Sequence, residues 1–201
     1  MHESDLHTSL ASEEEVSQPE KILTTSLVVN RDNLVVELDE SWLEQARKND
    51  SESVLAIEKI LYQPLGKFIG DDNTRMYFEA SLALCRLKKQ VLYRPYRCDS
   101  PTHKQFMELE LSPLEDGKVR MTHYLLRTEP FDKPVKFTAV QFTNNQHLTV
   151  KRCSLCNSIQ PTGSAEWIEP ETFFKDKSDV MTIHTVCPDC KNITWQIRRP
   201  R

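Results

Sequence analysis

The apolar positions change period along the chain. Residues 1 to 22 are polar, rich in Ser and Glu and without periodicity, and read as a disordered arm. In "TTSLVVNRDNLVVELDESW" two β-rich runs flank a turn at Asn30–Asn33. Leu34, Val36 and Leu38 alternate there with Val35 and Glu37, the pattern of a half-buried strand. Ser41 and Glu44 fit a capping box and predict a short helix over 41–49. Val54, Ile57, Leu61 and Leu65 then recur at spacings of three and four, one helix face that ends near Pro64 and Gly66. "DNTRMYFEASLALCRLKKQ" predicts a third helix, with Tyr77, Ala80, Leu84 and Leu87 as its buried stripe and Lys88 and Lys89 at its negative end.

From there the period falls to two. "VLYRPYRC" reads as a strand whose Pro95, lacking an amide donor, belongs at an edge or a bulge. "KQFMELELSP" sets Met107, Leu109 and Leu111 on one face and Glu108 and Glu110 on the other. Asp116-Gly117 supplies a hairpin turn, and "KVRMTHYLLR" returns. Two strands, several helices and three strands predict an α+β fold, an antiparallel sheet with its helices on one side. This domain spans 23–128. Residues 129–147, with Pro130, Pro134 and an Asn pair, read as a linker carrying one short strand at 135–142.

The last segment, 148–201, holds two C-x2-C knuckles thirty residues apart: Cys153 and Cys156, then Cys187 and Cys190. Two intervening residues let one tight turn aim both sulfurs at a single point. Two such turns complete a tetrahedral thiolate set, the geometry of a structural Zn²⁺ site. Four thiolates also suit iron, and redox-active thiols are the remaining alternative. With no open coordination position, such a metal stabilises a fold rather than activating water. Strand-like "LTVKR", "VMTIH" and "ITWQIR" flank the knuckles, and Trp167, Phe173 and Phe174 are expected to cover the site. His184 is a candidate neighbour of the metal rather than a fifth ligand. Cys85 reads as a small buried apolar residue; Cys98 closes a strand.

Composition removes several function classes. The net charge of −4 over 201 residues leaves the whole chain without a basic footprint for nucleic acid. Gly66, Gly70, Gly117 and Gly163 form neither a dinucleotide fingerprint nor a phosphate loop. Neither HExxH nor GxSxG occurs, and no nucleophile stands beside a base, so the chain reads as no enzyme. No apolar run reaches membrane-helix length, and the start lacks a secretory pattern, so the expectation is a cytoplasmic protein without a membrane partner. The tail "KNITWQIRRPR" is the exception: Lys191, Arg198, Arg199 and Arg201 with Trp195 could contact single-stranded nucleic acid.

The segment from about 25 to 127 resembles a PAS domain, carried by "LVVELDESWLEQARKN", "PLGKFIGDDNTRMYF" and "YRPYRCDSPTHKQFMELELSPLEDGKV". It is similar to a group of bacterial PAS proteins with an "RCDSP…FMEL" segment followed by a C-S-x-C … H-x-x-C-P-x-C module, here "CSLC" and "HTVCPDC". Thr185 departs from that pattern where a glycine is expected. The resemblance implies a five-stranded antiparallel sheet with helices between its second and third strands, followed by a small zinc-ribbon-like module. It implies a non-catalytic sensor or signalling protein, often dimeric, with a protein partner and an unidentified small molecule held between helices and sheet. Haem would need an axial ligand, and His103 and His123 read instead as surface histidines. A nucleic-acid-binding regulator using the ribbon and the basic tail is the alternative.

Overall fold

The alternating runs pair into a five-stranded antiparallel sheet in which only the strands at either side have a free edge. The structure, a computed structural model, describes residues 21–40, 42, 58–69, 71–135, 137–139, 149–174 and 180–193. Strands β1 (Ile22–Val29), β2 (Val35–Leu38), β3 (Leu92–Arg97), β4 (His103–Pro113) and β5 (Val119–Pro130) lie in the order β2-β1-β5-β4-β3. Between β2 and β3 come a 3₁₀ turn, Leu65–Phe68, and helix α1, Asp72–Lys88. Both contribute to one apolar core against the sheet, with Leu82 and Cys85 of α1 meeting Leu27, Val29, Leu109, Leu111 and Met121. The fold is α+β, with the described helices of this unit packed on one side of the sheet. Of the expected helix over 41–49 only Trp42 is described, helical and with its amide donating to Asp39 Oδ1 at 3.0 Å; the rest lies outside the described residues, as do Val54 and Ile57.

Three local patterns differ from expectation. In β2 the buried residue is Val35, opposite Val29, whereas Leu38 pairs with Leu27. Val36 is an extra residue in that ladder, and this bulge turns both Val35 and Leu38 to the core. The expected helix does not run on to Leu65. Tyr62 has φ 62°, its amide donates to the Val35 carbonyl, and the Leu65 amide donates to that of Asn33, so β2 pulls this stretch alongside itself. Leu61 and Leu65 still pack on the core.

Helix α1 begins where Asp71 accepts from the Thr74 amide at 2.8 Å and ends at Lys89 in the left-handed region. Its buried positions are Thr74, Ser81, Leu82 and Cys85; Ala80 is exposed and Leu87 is 79% exposed. The stripe is rotated because polar groups on that face find partners. Ser81 Oγ donates to the Tyr77 carbonyl at 2.7 Å, and the Cys85 thiol donates to the Leu111 carbonyl at 3.4 Å. Burial pushes that thiol up to about 11. Arg86 ties the end of the helix to both neighbouring turns, donating to the carbonyls of Gly117 and Asn30 and to Asn33 Oδ1, each at 2.8 Å. In the β4–β5 turn Asp116 (φ 56°) and Gly117 (φ 71°) are both left-handed, as an Asp-Gly turn allows.

Strands β6 (Phe137–Ala139), β7 (Thr149–Cys153), β8 (Ile159–Gln160) and β9 (Val180–Thr185) form a second sheet, ordered β6-β9-β7-β8. Strands β6 and β7 run parallel to β9, and β8 runs antiparallel to β7. Two short helices accompany it, α2 (Pro170–Phe173) and α3 (Pro188–Asn192). The start of the expected linker belongs to this unit. Phe131 and Val135 are buried with Val150, Ile159 and Phe174, and their amides donate to the carbonyls of Thr102 and Pro101.

His123, expected at the surface, faces the core beside Tyr96, whose hydroxyl lies 2.7 Å from His123 Nδ1. Burial pushes the imidazole down to about 4. An unfolded histidine titrates near 6.5, so as pH falls the unfolded chain takes up the proton first. The stability this neutral ring contributes is whole above pH ~6.5 and is lost as pH falls towards about 4. Urea unfolding at pH 7 and pH 4.5 checks this. The His123→Phe variant should lose about 2–3 kcal/mol less than the native chain between those two pH values.

Candidate metal centre

The two knuckles are built by different local devices. In the first, β7 ends at Cys153, and the turn back to β8 is closed by the Asn157 amide on the Cys153 carbonyl (3.0 Å) and the Cys153 amide on that of Ser158 (2.8 Å). Asn157 has φ 63°, a conformation asparagine tolerates better than most residues. In the second, β9 runs into Cys187, which caps the single turn of α3 with Pro188 at its first position. Thr185 ends β9 and its φ is not positive, so the expected glycine is not required there. Its carbonyl accepts from the Ser154 amide at 2.8 Å, joining the knuckles directly. The parallel pairing of β7 and β9, Cys153 opposite Thr185, delivers both turns to one end of the sheet.

The four sulfurs of Cys153, Cys156, Cys187 and Cys190 all lie within 4.8 Å of one another, with Cys156 and Cys187 at 3.8 Å. A metal ~2.3 Å from four tetrahedral sulfurs spaces those sulfurs about 3.8 Å apart, so the cluster has the size of a four-thiolate site. Backbone amides already face it. Those of Leu155 and Cys187 donate to the Cys153 sulfur and that of Cys190 to the Cys187 sulfur, each at 3.4 Å. Cys153, Cys187 and Cys190 are buried and Cys156 partly so; all six cysteines are free of disulfides.

The protons of these thiols are strongly linked. Hydrogen bonds from the Cys156 and Cys190 side chains hold Cys153 far below the ordinary thiol range, and the same bond to Cys153 drives Cys190 far above it. Burial pushes Cys187 up to about 11. Four packed thiols therefore cannot all ionise together, whereas a divalent cation at their centre would supply the missing charge. Such a cation would have a closed shell of four sulfurs and no position for water.

The cluster is packed against the first sheet. Tyr77 of α1 and Tyr96 of β3 join Trp167 around Cys153, Leu155, Val186, Cys187 and Cys190. Trp167 thus covers the site as expected, whereas Phe173 and Phe174 belong to the neighbouring core. Arg94, at an inward position of β3 between Leu92 and Tyr96, is 1% exposed. Its guanidinium donates to the carbonyls of Cys190 and Ile193, both at 2.7 Å. The Arg97 amide donates to the Leu155 carbonyl at 2.7 Å, so the first knuckle occupies part of the free edge of β3. Thr74 Oγ1 donates to Ser154 Oγ at 2.9 Å. On the rim Arg97 pairs with Asp99 (2.5 Å) and Glu169 (2.7 Å). Burial works to lower that guanidinium's pKa, but the two carboxylates outweigh it and the net direction is upward.

The other candidates lie elsewhere. His184 is half-buried on β9 and outside the sulfur cluster; burial, with Arg152 adding to it, lowers its pKa. His103 and Cys98 are exposed. Lys191 is exposed on α3, and Trp195, Arg198, Arg199 and Arg201 lie outside the described residues. Sequence reasoning missed Arg94 and Leu155. For Arg94 a signal existed, a charge at the inward position of an alternating strand; for Leu155 there was only its place between two cysteines. Among the described residues no helix is long and apolar enough to cross a membrane.

No protein-family model matches the chain, and no curated protein matches it. Among solved structures it resembles the crystal structure of a sensory box sensor histidine kinase from Vibrio cholerae, at 14% identity and a TM-score of 0.36, over 58% of this chain and 89% of that one.

The Arg94→Met variant should keep the apolar stem but leave the carbonyls of Cys190 and Ile193 without their charged donor. The expected cost is about 2–4 kcal/mol in urea unfolding. Metal affinity, read by competition with a chromophoric chelator, should fall by about 10- to 100-fold. Arg94→Lys should recover only part of either, because one ammonium nitrogen on a shorter, flexible stem cannot match the fixed spacing of the two guanidinium nitrogens that serve these carbonyls.

Proposed function

We propose that this chain is a non-catalytic signalling or regulatory protein, a PAS-like domain joined to a zinc-holding module, whose output is contact with a protein partner. One observation carries the reading. Among the described residues four thiols, without a histidine or carboxylate, converge within 4.8 Å, and they do so against the sheet of the PAS-like domain. Zinc suits this set better than other divalent ions because it favours a closed tetrahedron of sulfur and has no redox chemistry of its own. Four thiolates around Zn²⁺ carry a net charge of −2. The Arg94 guanidinium on the Cys190 carbonyl places a compensating charge nearby.

Catalysis is a poorer reading of the same site. A catalytic zinc keeps one position for water, and this donor set fills all four. Signalling by contact agrees with the shape of the cleft between α1 and the sheet, which encloses about 20 Å³, room for one water.

Elemental analysis with native mass spectrometry on freshly purified, reduced protein tests the proposal. One zinc per chain is expected, lost in the Cys153→Ser and Cys190→Ser variants, and the same spectra report monomer or dimer. Protein without metal, its four cysteines oxidised in pairs, would overturn the zinc reading and make the module a redox element.

A further inference from the structure

We propose that the first knuckle is the resident occupant of the PAS-like cleft, and that the metal state of the four-cysteine cluster is the signal the sensor sheet reads. The inference rests on the zinc reading above and adds what the domain senses.

The argument starts from space. A small-molecule site between helix and sheet needs roughly 300 Å³ or more. Among the described residues Tyr77, Phe78, Arg94, Tyr96, Leu109 and His123 enclose about 20 Å³, and Leu155 completes their wall. That leucine is 3% exposed and comes from the other unit. An apolar side chain of this chain thus stands where a diffusible ligand would make its contacts.

Leu155 has little freedom of its own. It lies between two of the four sulfur-bearing residues, Cys153 and Cys156. Its amide donates to the Cys153 sulfur at 3.4 Å, and its carbonyl accepts from the Arg97 amide of β3 at 2.7 Å. The second knuckle is tied to the same strand, through Arg94 and the carbonyls of Cys190 and Ile193. The N-terminal end of α1 is tied through Thr74 to Ser154, next to Leu155. No flexible segment separates the sulfurs from the cleft wall. Closing the four sulfurs on a metal fixes the backbone of Leu155, and with it β3 and the start of α1. Releasing the metal removes the four bonds that hold the sulfurs at that spacing and leaves the knuckle only its backbone hydrogen bonds. The knuckle then loosens, the cleft loses its apolar wall, and the Arg97 amide on the edge strand becomes free to pair with another chain.

Hydrogen exchange by mass spectrometry on the full-length chain tests this, zinc-loaded and after chelation under reducing conditions. Stripping should raise exchange about tenfold or more in β3 (92–97) and the first half of α1 (72–80), as well as in 149–193, and leave the β1–β2 hairpin unchanged. Leu155→Ala keeps all four cysteines. It should bind one zinc, show part of that rise in β3 and α1 while zinc-loaded, since its backbone bonds remain, and take up benzene in the enlarged cleft by ligand-observed NMR. Should Leu155→Ala fail to fold, zinc-loaded Leu155→Val should show a smaller rise in the same two elements. A response to stripping confined to 149–193 would overturn the proposal, as would zinc-loaded leucine variants matching the native chain in β3 and α1. Protein that takes up no zinc would instead overturn the zinc reading on which this inference rests.

Discussion

A buried arginine holds the two halves of this protein in one arrangement. Arg94 projects from the middle of an edge strand into the core, where an isolated charge would be too costly to bury. Its guanidinium is tolerated because two carbonyls of the second knuckle, those of Cys190 and Ile193, accept from it at 2.7 Å. Neither side can change partner cheaply. Moving the knuckle strands a charge in the core, and moving β3 leaves two carbonyls at the end of a five-residue helix without a donor. Tyr77 reinforces the joint, its ring facing the guanidinium at 5.8 Å while packing on both cores.

The rest of the interface follows from that anchor. With Arg94 fixed, β3 presents its free edge to the first knuckle, and the Arg97 amide finds the Leu155 carbonyl. The edge that a lone sheet would leave open to aggregation is partly closed by the turn that carries Cys153 and Cys156. Stability of the five-stranded sheet and closure of the sulfur cluster therefore depend on each other. A small module with little apolar core of its own would draw much of its folding free energy from a metal held by its four thiolates. Here the cleft residues of the neighbouring sheet add to it.

Much of this was legible along the chain. Strands β3, β4 and β5 showed period two, Pro95 marked the edge strand, and Asp116-Gly117 marked the hairpin. Helix α1 was legible as an element, and Tyr77 and Leu84 of its expected stripe do pack on the core, but the other two positions do not. Hydrophobicity pointed to Ala80 and Leu87, while Ser81 and Cys85 went inward because carbonyls of Tyr77 and Leu111 satisfied them. Strand β2 misled for a related reason: one bulged residue, Val36, reversed the face that alternation implied. In the insert, Trp167 reached the sulfur cluster while Phe173 and Phe174 did not, a choice made by which core each could fill.

What the sequence by itself determined is local chemistry. The C-x2-C spacing makes each pair of sulfurs converge within one turn, whatever the rest of the chain does. Alternation and capping fix element type for the same reason, since each depends on neighbours a few residues away. What only the tertiary structure decided is how these parts meet: the two knuckles through the parallel pairing of β7 with β9, Arg94 against Cys190, and Leu155 against the cleft. Those contacts join residues about 30 to 100 positions apart. Their free energies depend on shape, burial and the pairing of polar groups, which no local pattern records.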